Sequence, residues 1–175
     1  MRKTAIMSIL FLAILPFYGQ QKKDNTKQIQ DIITTYSRSV IEKDSISFYA
    51  LFNEDHVVWS AAYKDRTQAK EKEIKGVEKA GSNYFSGSYK RFMRGLFSHK
   101  TTEDKFDNVT ITNDGTVASV IMDYSFWADG KMTNWGCKYL NLIKKNGEWK
   151  ITSVIYSLEL ANYFKQPELK ERKGK

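Results

Sequence analysis

The sequence predicts an α+β protein: a cone-shaped, strongly bent antiparallel β-sheet with N-terminal helices packed on its concave face. Three observations carry this. Asn113-Asp114-Gly115, Asp129-Gly130 and Asn146-Gly147 separate four runs between Phe106 and Leu158. Asp-Gly and Asn-Gly supply the positive-φ residues that tight hairpins need, so these runs are consecutive antiparallel strands. Several runs exceed the usual five or six residues; at about 3.3 Å per residue a twelve-residue strand spans roughly 40 Å, the width of a small domain, so the sheet must bend and enclose a concave space. Helical periodicity is concentrated before this meander, an order in which helices cover one sheet face.

The elements follow in chain order. Arg2 and Lys3, the apolar stretch Ala5 to Tyr18 and the polar Gln20-Gln21-Lys22-Lys23 have the layout of a secretory signal peptide, too short to span a bilayer, with cleavage expected near Gly19 or Gln20. Ile29, Ile32, Ile33, Tyr36 and Val40 recur at helical spacing, and Asn25 with Gln28 resembles a capping box, which predicts a helix from Thr26 to Lys43. Asp44 or Ser45 caps a second, short helix carrying Phe48, Leu51 and Phe52. His56 to Ala62 reads as a strand, the charged Tyr63 to Lys75 as a surface loop, and Gly76 to Phe97 as one interrupted helix or two short ones. The expected organisation is a signal peptide over 1–20, one domain over 25–160, and a basic tail over 161–175.

Two-residue turns at Asp129-Gly130 and Asn146-Gly147 set an expected register. Tyr124 then faces Trp135, Met122 faces Cys137, and Val120 faces Tyr139; across the next hairpin Tyr139 faces Val154 and Cys137 faces Tyr156. One sheet face carries Val120, Met122, Tyr124, Phe126, Trp135, Cys137, Tyr139, Val154 and Tyr156 and should meet the helices. The other carries Ile121, Asp123, Ser125, Asn134, Lys138, Leu140, Leu142, Trp149, Ile151, Ser153 and Ile155. Its apolar members should be covered, most simply by a second copy of the chain, giving a homodimer through the outer sheet face.

Composition narrows the function classes. At 175 residues the chain is one domain long, with 41% hydrophobic and 14% aromatic residues to build a core. The formal charge is +8, two units less without Arg2 and Lys3, and the lysines between 64 and 75 alternate with acids as on a solvated face. Nucleic acid is therefore not an expected partner, nor is a membrane once the signal is removed. Cys137 is the single cysteine, so no intrachain disulfide forms and no lipid-bearing cysteine adjoins the apolar segment. A secreted or periplasmic protein is expected. No metal-ligand spacing, phosphate-binding glycine loop or nucleophile triad is present, and no cofactor is expected.

Val117-Ala118-Ser119-Val120, Tyr124-Ser125-Phe126, Asp129-Gly130-Lys131, Gly136, Leu142 and Gly147-Glu148-Trp149-Lys150-Ile151, in this order, resemble secreted bacterial members of the nuclear transport factor 2-like superfamily, near its SnoaL-like and lumazine-binding-like branches. The resemblance runs from about Thr26 to Leu158. It implies a cone with an internal pocket, often dimerised through the outer face of the sheet. It also implies isomerases, dehydratases, cyclases or non-catalytic binding proteins, so fold alone does not choose. Relatives carry histidine at the position of Asn134, within a stretch that here reads Thr133-Asn134-Trp135-Gly136.

The candidate residues divide by role. Tyr36, Trp59, Tyr124, Trp135, Tyr139 and Tyr156 are expected to wall an aromatic pocket for a small apolar or aromatic molecule, with hydroxyl and indole donors. Asp123, mid-strand among apolar neighbours, and His56, at the start of the first strand, are the candidate acid–base groups; an ion pair of Asp123 with Lys138 is the simpler outer-face account. His99 is expected to close a helix end. The leading expectation is an exported small-molecule-binding protein without catalysis. A cofactor-free lyase or isomerase and an interaction module using the outer sheet face are the alternatives. An ionisable side chain buried on the pocket floor would favour the enzyme, an all-aromatic pocket binding, and a filled core interaction.

Overall fold

The structure is a computed structural model that describes residues 7–54 and 56–168, with side chains from Asp24 onward. The first six residues of the expected signal segment and tail residues 169–175 lie outside the described residues. Six strands form one open sheet: β1 (Val58–Tyr63), β2 (Tyr84–Ser86), β3 (Thr102–Asn113), β4 (Val117–Ala128), β5 (Lys131–Lys145) and β6 (Glu148–Leu160), in the order β2-β1-β6-β5-β4-β3. The four-strand meander is present with its three turns; Asp129 and Gly130 have φ of 51° and 75°, Asn146 and Gly147 53° and 88°, the paired left-handed residues of a tight hairpin. The sheet is mixed rather than antiparallel throughout, because β1 runs parallel to β6.

Among the described residues five helices accompany it: α1 (Met7–Glu42), α2 (Ser45–Ala50), α3 (Asp65–Lys75), α4 (Val77–Ala80) and α5 (Tyr89–Leu96). The apolar stripe Ile29, Ile33, Tyr36 and Val40 of α1 is buried against the sheet. Two side-chain bonds tie α1 to β3: Ser37 Oγ donates to the Asp104 carbonyl at 2.9 Å, and Thr102 Oγ1 to the Val40 carbonyl at 2.6 Å. Asn25 and Gln28 form no capping box, because the helix continues through them. Asn25 instead accepts from Lys144 Nζ at 2.7 Å, while Gln28 donates to Asp24. Asp44 caps α2 as expected, accepting from Ile46 N and Ser47 N. Among the described residues no helix is long and apolar enough to cross a membrane.

Two segments differ from expectation. The charged stretch read as a loop is the helix α3, whose Thr67, Gln68 and Glu71 are buried although it lacks an apolar stripe. It packs through hydrogen bonds instead: Thr67 Oγ1 and Arg66 Nε both donate to the buried Glu159 carboxylate of β6, and Tyr163 Oη donates to Glu71 at 2.6 Å. The interrupted region also contains a strand, β2, which pairs with β1. Residues 161–164 are a turn folded onto the sheet rather than free tail; Ala161 N donates to Thr133 O, and Phe164 O accepts from Trp135 Nε1 at 2.8 Å.

The expected register fails by one residue in two places, and the causes are two bulges. Ala128 faces Lys131 as expected, but an extra residue, Thr133, enters β5, after which Tyr124 faces Gly136, Met122 faces Lys138 and Val120 faces Leu140. A second extra residue, Thr152 in β6, restores the offset, so Leu140 faces Val154 and Lys138 faces Tyr156. The two errors cancel for β6 beyond Thr152, but β5 beyond Thr133 and the start of β6, with Trp149 and Ile151, change faces. Lys138, Leu140 and Leu142 therefore point inward, and Ile151 is fully buried, whereas Trp135, Cys137 and Tyr139 belong to the convex face.

Candidate functional site

The concave side holds a cavity of two adjacent compartments that share wall residues. The outer, about 480 Å³, is lined by Trp59, Phe85, Arg91, Phe92, His99 and Phe126 among others. The inner, about 280 Å³, shares Trp59, Phe85, Phe92, Phe126 and Tyr156 with it and ends on Asp104, Tyr124, Asn134 and Lys138. The walls are aromatic because β1, β4 and β6 each turn a ring inward. Trp59 lies 5.2 Å from Phe92, Phe92 5.9 Å from Phe126, and Tyr124 5.7 Å from Tyr156, centroid to centroid. Such tilted and edge-on contacts are the favoured aromatic geometries and hold the wall without filling the space.

Lys138 and Asp104 make the floor. Their side chains are 4% and 1% exposed, and Lys138 Nζ donates to Asp104 Oδ2. Around the ammonium stand the rings of Tyr124 (4.5 Å to the centroid), Phe106 (5.1 Å), Tyr36 (5.2 Å) and Tyr156 (5.7 Å). Asp104 Oδ1 and the Tyr36 hydroxyl are buried without a hydrogen-bond partner. Burial pushes the Asp104 carboxyl up and the Lys138 ammonium down, each opposed by the charge of the other. Desolvation outweighs attraction on both sides, so the charged pair is less favoured here than the same pair would be in water. Burial, followed by the Asp104 charge, also holds the Tyr36 and Tyr124 hydroxyls well above their usual value. They remain donors at neutral pH. Tyr124 Oη donates to Asn134 Oδ1 at 3.0 Å, and Asn134 Nδ2 to Thr133 Oγ1 at 2.9 Å, so the residue at the bulge positions the tyrosine.

Of the six aromatic residues expected in the wall, Trp59, Tyr124 and Tyr156 line the inner compartment, and Tyr36 lies against Lys138. Trp135 and Tyr139 do not. Trp135 is buried on the convex side under Phe164 and the cations of Lys64 and Arg66, and Tyr139 is exposed there. The acid–base candidates are also displaced. Asp123 is on the convex face, accepting from Asn108 Nδ2 at 2.6 Å, and does not meet Lys138; His56 is exposed before β1 begins. His99 N donates to Leu96 O at the end of α5, and its Nδ1 lies 3.1 Å from Asp129 Oδ2, at the outer rim. Lys138 was missed because the bulge at Thr133 reverses the face of β5, and Asp104 because β3 begins at Thr102, before the Phe106 start of the first expected run. The available signal was a lysine between Cys137 and Tyr139-Leu140, a charged residue within an otherwise uncharged stretch from Met132 to Ile143.

No family model and no curated protein matches the chain. Solved structures do. A "Putative Scytalone Dehydratase" from Novosphingobium aromaticivorans superposes with a TM-score of 0.58 at 16% identity, over 81% of this chain and 89% of that one. A "putative dehydratase from the NTF2-like family" from Streptomyces avermitilis gives 0.56 at 14% identity, over 80% and 99%. An "NTF2-like protein of unknown function" from Pseudomonas putida gives 0.55 at 11%, over 77% and 87%. The chain has the nuclear transport factor 2-like fold, also described as cystatin-like.

Proposed function

We propose that the protein is a cofactor-free acid–base enzyme of the lyase or isomerase kind, acting on a small, mostly apolar carbonyl compound. The observation that carries this is the ionisable pair Lys138–Asp104 at the end of an aromatic cavity. A buried ion pair costs several kcal/mol of desolvation per ion, and a binding site for apolar molecules has no use for that cost. Proton abstraction beside a carbonyl needs a base close to its working pH and a donor for the oxygen that becomes an enolate. Lys138 with Asp104 supplies the base, the proton moving within the pair. Tyr156, kept protonated by burial, supplies a donor at the inner compartment, and Tyr124, whose O–H is donated to Asn134, walls it. Asn134 holds the Tyr124 hydroxyl in place. Two solved relatives in fold carry dehydratase names, which agrees with this chemistry.

The test is deuterium exchange. A panel of aryl and cyclic ketones incubated with the protein in D2O should lose the α-proton signal by NMR faster than in buffer, and Lys138→Met should abolish the difference. Binding of the same compounds with no exchange above buffer would return the protein to the reading of a carrier without turnover. Exchange that survives in Lys138→Met would remove the pair from the chemistry.

A further inference from the structure

We infer that Lys138 is an amine nucleophile that condenses with the carbonyl group of its ligand to form an iminium ion, with Asp104 as the counterion. This rests on the reading that the cavity accepts a carbonyl compound, and it assigns a covalent route that acid–base chemistry alone does not require.

The argument begins with donors. An ammonium group carries three N–H bonds. Among the described residues Lys138 Nζ meets one acceptor, Asp104 Oδ2, and otherwise four aromatic rings. Rings stabilise the charge but satisfy N–H groups poorly, so two of the three donors have no protein acceptor beside the inner compartment. An iminium nitrogen carries a single N–H, which Asp104 Oδ2 is placed to accept. Its positive charge is spread over carbon and nitrogen, and its substituents are apolar, as the surrounding rings are. The pocket therefore fits the iminium better than the free ammonium, which is the condition for stabilising an intermediate rather than the resting state.

The protons are also in place. Lys138 Nζ and Asp104 Oδ2 are in hydrogen-bond contact, and because burial disfavours both charges, passing the proton across that contact to give amine and carboxylic acid costs less here than in water. In that form the Lys138 Nζ lone pair attacks the carbonyl carbon, the C=O π pair moves to oxygen, and a proton passes from nitrogen to that oxygen, giving a neutral carbinolamine. Asp104 then protonates the hydroxyl, the C–O bond breaks with release of water, and the nitrogen lone pair forms C=N. Amine, acid and ketone become iminium, carboxylate and water, with atoms and charge conserved and no external reagent. The Tyr156 hydroxyl, on the same compartment wall, is a donor for the oxygen as it departs. The remaining Asp104 oxygen, Oδ1, which has no partner, is available to take a proton from the carbon next to the iminium.

Two probes test this on the full chain. Benzaldehyde with cyanoborohydride fixes an iminium as a benzylamine. An exposed lysine, with a pKa near 10.4, is below about one part in a thousand free amine at pH 7. Lys138 should therefore trap at roughly ten times the rate of exposed lysines or more. Peptide mapping of the wild-type protein reads this without any variant. Pentane-2,4-dione, which forms a conjugated enaminone with free amines, should give a near-ultraviolet band that disappears in Lys138→Arg. If that variant fails to fold, competition of the dione with benzaldehyde at Lys138 in the wild type reads the same site. Labelling spread evenly over surface lysines with Lys138 untouched overturns the inference. Deuterium exchange without trapping overturns it while leaving the acid–base function standing; trapping without exchange upholds it and removes that function.

Discussion

Lys138 and Asp104 define a stability signature that separates a functional pair from a structural one. Removing one partner from a buried pair leaves an uncompensated charge and costs about 3–5 kcal/mol, whereas replacing both with apolar residues is neutral or stabilising by about 1–4 kcal/mol. Lys138→Met is thus expected to be destabilised, and Asp104→Leu combined with Lys138→Met to be as stable as the wild type or more so, by denaturant unfolding. The pH dependence follows in sign. Burial raises the Asp104 carboxyl in the folded state, and Lys138 is what opposes the rise. Without Lys138 the raised value remains, so the folded single variant binds its proton more tightly than the unfolded chain. Its stability should be greatest below the ordinary carboxylate value of about 4 and should fall as pH rises through the folded-state value. A Lys138→Met variant that gains stability between pH 4 and 7 would contradict this. The neighbouring Tyr124→Phe loses one hydrogen bond to Asn134, so a cost near 1 kcal/mol and weaker ligand binding are expected in the same assay with a ketone titration. A cost above roughly 2 kcal/mol would place the hydroxyl in a larger network.

The strands show what was legible before the structure and what was not. Turn chemistry was legible, since Asp129-Gly130 and Asn146-Gly147 require left-handed backbone and leave few alternatives; so were the α1 stripe and the Asp44 cap. Bulges were not. Thr133 and Thr152 are ordinary strand residues, and nothing local distinguishes an inserted threonine from a paired one, yet each insertion moves every later side chain to the other face. Periodicity identified the sheet and misassigned β5, and with β5 the floor of the cavity. The helix α3 escaped because its buried positions are polar, satisfied by Glu159 and Tyr163 from distant segments. Gly136 was noticed for its place in a motif, but its role is geometric: a Cβ there would lie 2.0 Å from the Ser157 carbonyl oxygen, where β5 and β6 approach each other beside Tyr124. Gly136→Ala should therefore cost about 3 kcal/mol or more, the upper range for overpacking. Gly95→Ala in α5, where nothing lies within 4 Å of the added carbon, should be neutral or gain up to about 1 kcal/mol. Equal unfolding midpoints for the two variants would refute the close approach.

The two faces of the molecule have different fates once the register is corrected. The concave face is filled by α1, α2, α5 and the cavity. The convex face is covered at one end by α3 and the turn at 161–164, which bury Trp135 and Glu159. Export remains a proposal: cleavage near Gly19 or Gln20 would keep the α1 stripe from Ile29 to Val40 that packs on the sheet. Intact mass of protein recovered from the cell envelope should begin there, and a mass beginning at Met1 would refute it. The dimer needs a new basis, because Leu140, Leu142 and Ile151, expected on the outer face, are in the core. Beside the more peripheral Val58 and Val117, what remains outside is a row across three strands, Ile121 opposite Tyr139 opposite Ile155, each between 41% and 45% exposed. A row of three is a small patch, and single exposed apolar residues are ordinary. Self-association through it is accordingly proposed to be weak and reversible, with one copy's row laid against the other's by a two-fold axis, so that a single substitution acts twice at the contact. Sedimentation should show a monomer–dimer equilibrium that shifts with protein concentration, and Tyr139→Lys should hold the protein monomeric at unchanged thermal stability, since Tyr139 has little to lose on the folded monomer. A wild-type protein that sediments as a monomer at every concentration, or a dimer unaffected by Tyr139→Lys, would move the contact away from this face.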